Sequence, residues 1–176
     1  MSHTSDISFH EGYVIKRVHR YLEHGVVQRE IDWLERMHEE GRTPNLLDHH
    51  GNTLKISYVG EPLCRANAPD DLKSQLKDMA LMLKRHKCAH HDINPGNLMV
   101  NNGWLSLIDF QWALPMSQNI PDTWPKDLNS KFRIAPEKHD DAHSIQQVLK
   151  AMGSRSGKRK NHVWNSIGAL FRTPAK

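Results

Sequence analysis

This sequence predicts an α+β fold in two lobes, and three features predict it. A β-branched run, Tyr13 to Val18, stands before an amphipathic helix; a turn-rich loop leads into an Asn-Gly hairpin; the closing segments read as helices. The chain has 176 residues, enough for one domain or for two lobes that share a core. Hydrophobic residues make up 38% and charged residues 25%, the balance of a globular rather than a disordered chain. No apolar run approaches the roughly 20 residues that a membrane-spanning helix needs. The 24 Lys+Arg against 20 Asp+Glu leave a net charge of +4, too small to announce a nucleic-acid binder.

Tyr13–Val18 (YVIKRV) reads as a strand. Residues 23–40 read as a helix, with Val27, Ile31 and Leu34 on one stripe, ended by Gly41 and Pro44. Leu54, Ile56 and Tyr58 through Val59 suggest a second strand, broken at Gly60 and Pro62. The connector GEPLCRANAPDD divides an N-lobe, residues 1–63, from a C-lobe, residues 64–176. Asp70 or Asp71 can cap a long helix to about His86, on which Leu72, Leu76, Met79 and Leu83 follow the helical period. After the loop HHDINPGN, Leu98–Val100 and Leu105–Ile108 flank NNG, a hairpin signal. Residues 111–138 carry prolines at 115, 121, 125 and 136 and read as irregular. Two helices follow. One carries Ile145, Val148, Leu149 and Met152; the other, capped by Asn161, carries Val163, Trp164, Ile167, Leu170 and Phe171 as a core stripe. Between them GSRSGKRK is an exposed basic loop.

Cys64 and Cys88 do not make a disulfide framework; they read as free thiols in a reducing, cytoplasmic setting, packed as small buried hydrophobes. The N-terminus has no basic start followed by an apolar stretch, so no secretory signal is expected. Histidine is abundant, 13 residues, and His139 and His143 have i, i+4 spacing, but no third ligand cluster accompanies them. His49 and His50 precede a Gly-Asn turn and should face solvent. Arg155, Lys158, Arg159 and Lys160 form the basic cluster, a solvated loop or a docking point for an anionic partner. Followed by an amphipathic helix, it permits a peripheral position on the inner face of a membrane.

Three pieces in fixed order carry candidate chemistry. They are Lys16 on its strand with Glu30 on the helix, the loop from His90 to Asn97, and Ile108-Asp109-Phe110, where Asp109 lies 12 positions after Asn97. Phosphoryl transfer asks for this set. One carboxylate orients the attacking hydroxyl, a second carboxylate and an amide oxygen hold magnesium, and a lysine held by a glutamate neutralises phosphates. Asp92 and Asn97 sit at the two ends of one tight loop. The hairpin through Asn102-Gly103 then returns Asp109 beside Asn97, so that both can share one ion. Glu30 lies on the same helix face as Val27 and Leu34, which turns it toward the strand of Lys16; Glu23 and Glu35 are its competitors.

HHDINPGNLMV…LIDF resembles the H-x-D-x-x-x-x-N loop and D-F-G segment of the protein-kinase-like superfamily. The closest flavour is that of small bacterial kinases: aminoglycoside phosphotransferases, RIO-type kinases and the lipopolysaccharide-sugar (Kdo/heptose) kinases. REIDWLERMHEEG…PNLLD followed by LKISYVGEPL resembles their lysine-paired helix, fourth and fifth strands and hinge. The resemblance covers roughly residues 13–150. It implies a compact two-lobed protein-kinase-like fold with a truncated N-lobe and a minimal helical C-lobe. It also implies ATP and Mg2+, with Asp92 as the catalytic carboxylate and Asn97 and Asp109 as metal ligands. Lys16 would contact the phosphates, and Glu30 would position Lys16. Tyr58, Val59, Gly60 and Glu61 would form the hinge facing the adenine, mainly through backbone groups. His90 would brace the loop, and Asp141 resembles the buried aspartate that ties the loop backbone to a C-lobe helix. His86 and His91 flank the loop and are candidates to touch a substrate phosphate.

Departures from the family pattern shape the expectations. Only 15 residues and one glycine, Gly12, precede Lys16, so at most one full strand fits beside the lysine strand and the Gly-rich phosphate lid is truncated or absent. Gln111 stands where the glycine after Asp-Phe is usual. The 35 residues after Asp141 leave no room for a peptide-substrate platform, and Ala135-Pro136-Glu137 spells A-P-E by coincidence. The expected activity is transfer of the γ-phosphate of ATP to a hydroxyl, on a cell-envelope sugar or glycolipid first and on a protein Ser/Thr second. The rival is a pseudokinase, a nucleotide-binding or regulatory module that kept the fold and lost turnover.

Overall fold

Ser5–His10 (β1) and Tyr13–Val18 (β2) pair antiparallel around the Glu11–Gly12 turn. The structure is a computed structural model that describes residues 5–124 and 140–153. Alternation along β2 buries Val14, Lys16 and Val18 on one face. The helix expected over 23–40 is three pieces. A short 3-10 turn, Leu22–His24, precedes the α-helix Val26–Arg36 (α1), and a second, His38–Glu40, follows it. Gly25, with φ 66°, sits between the first two and breaks the run. α1 buries Val26, Glu30, Ile31, Trp33 and Leu34, a face set slightly off the expected stripe, and Val27 is only half-buried.

Leu46–His50 (β3) and Thr53–Ser57 (β4) complete a four-stranded sheet in the order β1-β2-β4-β3. His49 and His50 are exposed as expected, at the end of β3 before the Gly51-Asn52 turn. The strand expected through Val59 ends at Ser57, and Tyr58 to Gly60 carry the chain into the second half. There follow Glu61–Pro62 (β5), the helix Leu72–Arg85 (α2), Cys88–Ala89 (β6), Leu98–Asn101 (β7), Trp104–Leu107 (β8), Leu114–Pro115 (β9) and the helix Asp141–Met152 (α3). β5 pairs with β7, β7 pairs with β8 across the predicted Asn102-Gly103 hairpin, and β6 pairs with β9. The segment from 111 onward, expected to be irregular, therefore contains a short strand.

Asp71 stands at the N-cap of α2 but makes no side-chain cap; its carboxylate accepts from Gln75 Nε2 at 2.7 Å instead. Asp140 caps α3, accepting from the backbone N–H groups of Ala142 and His143. The two halves are joined below α1 by Arg42. Its Nη1 donates to Gln75 and to the Leu105 carbonyl, and its guanidinium lies 4.1 Å from the centre of the Trp104 ring. Both cysteines are free, but only Cys88 is buried; Cys64 is exposed because it falls in the connector after β5.

The basic loop (Arg155, Lys158, Arg159, Lys160), the expected last helix with Trp164 and Phe171, His139 and Ala135-Pro136-Glu137 lie outside the described residues. Among the described residues no helix is long and apolar enough to cross a membrane.

At Gly60 the chain passes against the backbone of β7. This residue has φ +116°, and a Cβ there would lie 2.2 Å from the Val100 carbonyl oxygen. Gly60→Ala combines backbone strain with a backbone collision and is expected to cost about 2–4 kcal/mol. Urea unfolding measures it, and a variant as stable as wild type would contradict this packing.

Candidate active site

The upper wall is built by β2 and α1. Alternation turns Lys16 inward and helical period turns Glu30 toward it. Lys16 Nζ donates to both carboxylate oxygens of Glu30 at 2.8 Å and to Asp109 Oδ1 at 2.9 Å. Glu23 and Glu35, the competitors of Glu30, are exposed. Burial pushes the Lys16 ammonium down, but the carboxylates of Asp109 and Glu30 outweigh it and hold the pKa above its ordinary value. Burial raises the Glu30 carboxyl, while Lys16 pulls the other way. α1 is fixed in this position from below. Arg29 Nη1 donates to the Gln111 carbonyl at 2.6 Å, and Trp33 Nε1 donates to the Ala113 carbonyl at 3.2 Å.

The lower wall is the loop and the hairpin. Asn97 Nδ2 donates to the backbone carbonyl of Asp92 and to its Oδ2, each at 2.9 Å. That uses the donor end of the amide and leaves its oxygen end for a cation. Asn94, absent from the expected set, caps the following turn. Its Oδ1 accepts from Gly96 N at 2.9 Å and its Nδ2 donates to the Asp92 carbonyl at 3.0 Å. The sequence signal for it was Asn-Pro-Gly, a turn in which the Asn side chain bonds its own backbone two residues on.

Two buried groups hold the loop from behind. Asp141 accepts from the backbone N–H groups of His90 and His91 at 2.7 and 2.8 Å, one on each carboxylate oxygen. His90 is fully buried, and burial lowers its pKa. Its Nδ1 accepts from Asp92 N at 3.3 Å, so its Nε2 carries the proton and donates to the Ile108 carbonyl at 3.1 Å. His86 and His91 do not belong to the cleft. His86 Nε2 donates to Glu40 at 2.7 Å, beside Arg85, and His91 is buried with its ring 5.8 Å from that of Trp124.

Between the walls lies a cleft of about 470 Å³ that Lys16, Glu30, Asn97 and Asp109 all line, with Tyr58, Val59 and Gly60 at its side. Glu61 is the exception among the expected hinge residues. It is exposed on β5, and its carboxylate accepts from the Tyr58 hydroxyl at 2.6 Å. The turn of Gly12 is no phosphate lid, because Gly12 O accepts from Tyr58 N at 3.1 Å and so lies at the hinge. The comparison with curated proteins finds no match. The family model described as RIO domain matches residues 2–127, a span holding every sheet and every cleft residue described above. With that match covering well over half of the chain, on an α+β fold of the kinase-like kind, the chain belongs to the RIO domain family of atypical, protein-kinase-like enzymes.

Proposed function

We propose that this chain is an ATP- and magnesium-dependent phosphotransferase that moves the γ-phosphate of ATP to a hydroxyl. Residues 1–63 and 64–176 form its two lobes, and Tyr58 to Gly60 face the base. The observation that carries the reading is the bridge of Lys16 between Glu30 and Asp109, at 2.8 and 2.9 Å, on the cleft that Asn97 also lines. A solvated strand lysine would have no reason to be buried between two carboxylates.

In this reading Lys16 neutralises phosphate charge and Glu30 keeps it in place. Asp92 takes the proton of the acceptor hydroxyl as its oxygen bonds to the γ-phosphorus and the bond to the β-phosphate oxygen breaks, releasing ADP. The donors left at Asn97 and Asp109, an amide oxygen and a carboxylate, are the hard oxygen ligands that magnesium takes. Bound there, the ion would draw charge off the phosphates. His90 and Asp141 keep the loop backbone in register.

A protein Ser/Thr hydroxyl is the favoured acceptor, because the matching family is one of atypical protein kinases. The sugar acceptor drew on the basic cluster and on likeness to lipopolysaccharide-sugar kinases, and neither gains support. A pseudokinase is disfavoured by a polar set with no member missing. The free thiols Cys64 and Cys88 accord with a cytoplasmic setting.

A thermal shift tests the nucleotide step. ATP with magnesium at about 100 times Kd should raise the wild-type midpoint by roughly 5–10 °C. Asp109→Ala should lose most of that rise whatever its own starting midpoint. No rise at millimolar nucleotide would overturn the reading.

A further inference from the structure

The upper sheet has two edges, and they are built differently. β3, at one edge, carries a bulge between Leu46 and Asp48 and shows Asp48, His49 and His50 to solvent, features that discourage further pairing. β1, at the other, pairs with β2 without a bulge and contains no proline, lysine or arginine. Its free groups follow from the ladder. Val18 N donates to the Asn52 carbonyl at 2.9 Å, so the even positions of β2 bond toward β4 and the odd ones toward β1. In β1 it is therefore Asp6, Ser8 and His10 that bond to β2. The backbone N–H and C=O groups of Ser5, Ile7 and Phe9 point away from the sheet, and among the described residues no strand lies on that side. Ile7 and Phe9, whose side chains face the cleft, are 46% and 69% exposed, so the open edge is also apolar.

We propose that a second copy of this chain occupies this edge, β1 pairing with β1 antiparallel about Ser8 and joining two four-stranded sheets into one. The strand is complementary to itself in that register. The outward groups belong to odd positions, so each hydrogen-bonded pair sets Ile7 against the second copy's Phe9, twice over, and closes the exposed apolar row. On the opposite face Asp6 meets the second copy's His10, also twice, a carboxylate against an imidazole. A register centred on Ile7 would set Phe9 against Ser5 and Asp6 against Ser8, and one centred on Phe9 would set Ile7 against Glu11. The pairing closes at two copies, because it uses the one open edge of each.

Sedimentation velocity of the full chain from about 1 to 200 μM tests it. Wild type should pass from monomer to dimer, and Phe9→Lys should stay monomeric throughout. Asp6→Lys should weaken the dimer, and adding His10→Asp should restore it, a recovery that a damaged fold would not show. The register has its own readout. Residues opposed in a non-hydrogen-bonded pair have Cα atoms about 4.5 Å apart, within disulfide reach. With Cys64→Ser as background, Ser8→Cys should cross-link two copies under mild oxidation about tenfold faster than Asp6→Cys, whose counterparts would lie roughly 13 Å apart. Wild type that stays monomeric overturns the proposal, as it would if another segment of this chain or a different partner covered the edge. A dimer left intact by Phe9→Lys, one not recovered by Asp6→Lys with His10→Asp, or equal cross-linking of the two cysteine variants also overturns it.

Discussion

Asp92→Asn should lower phosphoryl transfer about a thousandfold while leaving ATP affinity within about threefold. The expectation follows from how the loop is held. The Asp92 backbone carbonyl accepts from Asn94 and Asn97, at 3.0 and 2.9 Å, and its N–H is taken by His90 Nδ1. None of these bonds uses the carboxylate. The Asn97 contact to Oδ2 does, and an amide oxygen can accept it equally well. The substitution therefore removes a negative charge and a proton acceptor from a loop that keeps its shape. Steady-state rates and a separate ATP titration measure the two effects. A fall in rate of less than tenfold would mean that Asp92 does not handle the proton.

Lys16→Met should be the most damaging change to stability within the cleft, costing about 3–5 kcal/mol. Glu30 is 1% exposed and Lys16 6%, so removing the ammonium strands a carboxylate that water cannot reach. The double variant Lys16→Met with Glu30→Leu removes both charges and should be more stable than Lys16→Met alone. ATP binding should be lost in both. The sign of the pH dependence is also fixed. Burial raises the Glu30 carboxyl, and loss of Lys16 removes the opposing attraction, so its folded pKa lies above the unfolded one. Such a group favours the folded state when protonated, and the benefit disappears as pH rises through the folded pKa. The deficit of Lys16→Met should therefore shrink in acid and widen toward neutral pH, whereas the double variant should lack this trend. Chemical unfolding at several pH values measures both. A double variant less stable than the single one would contradict a buried pair.

The candidate site was legible because its members are close in the chain or fixed by short-range period. Asp92, Asn94 and Asn97 share one loop, and a two-residue turn returns Asp109 to them. Alternation and helical spacing sufficed to turn Lys16 and Glu30 inward. The edges of the upper sheet were harder to read. Every residue of β3 after half-buried Leu46 is exposed, so LLDHH has no alternation to betray it, and β1, at the opposite edge, is only six residues long. The division of α1 turns on a single left-handed glycine, Gly25, which the apolar stripe does not register. Arg42, Arg29 and Gly60 matter through partners roughly 30 to 80 positions away, to carbonyls that carry no sequence signature. The exposure of Phe9 is likewise a property of the cleft: alternation alone would have made it a core residue.

The most direct measurement is the fate of the γ-phosphate. Full-length wild type and Asp92→Asn are incubated with magnesium and ATP labelled at that position, with serine- and threonine-bearing peptides as acceptors. Label leaving ATP for a peptide, the chain itself or water in wild type, and about a thousandfold more slowly in Asp92→Asn, is the predicted result. Wild type that binds ATP in the same buffer yet moves no label faster than Asp92→Asn would contradict it, and would make this RIO domain a nucleotide-binding module rather than an enzyme.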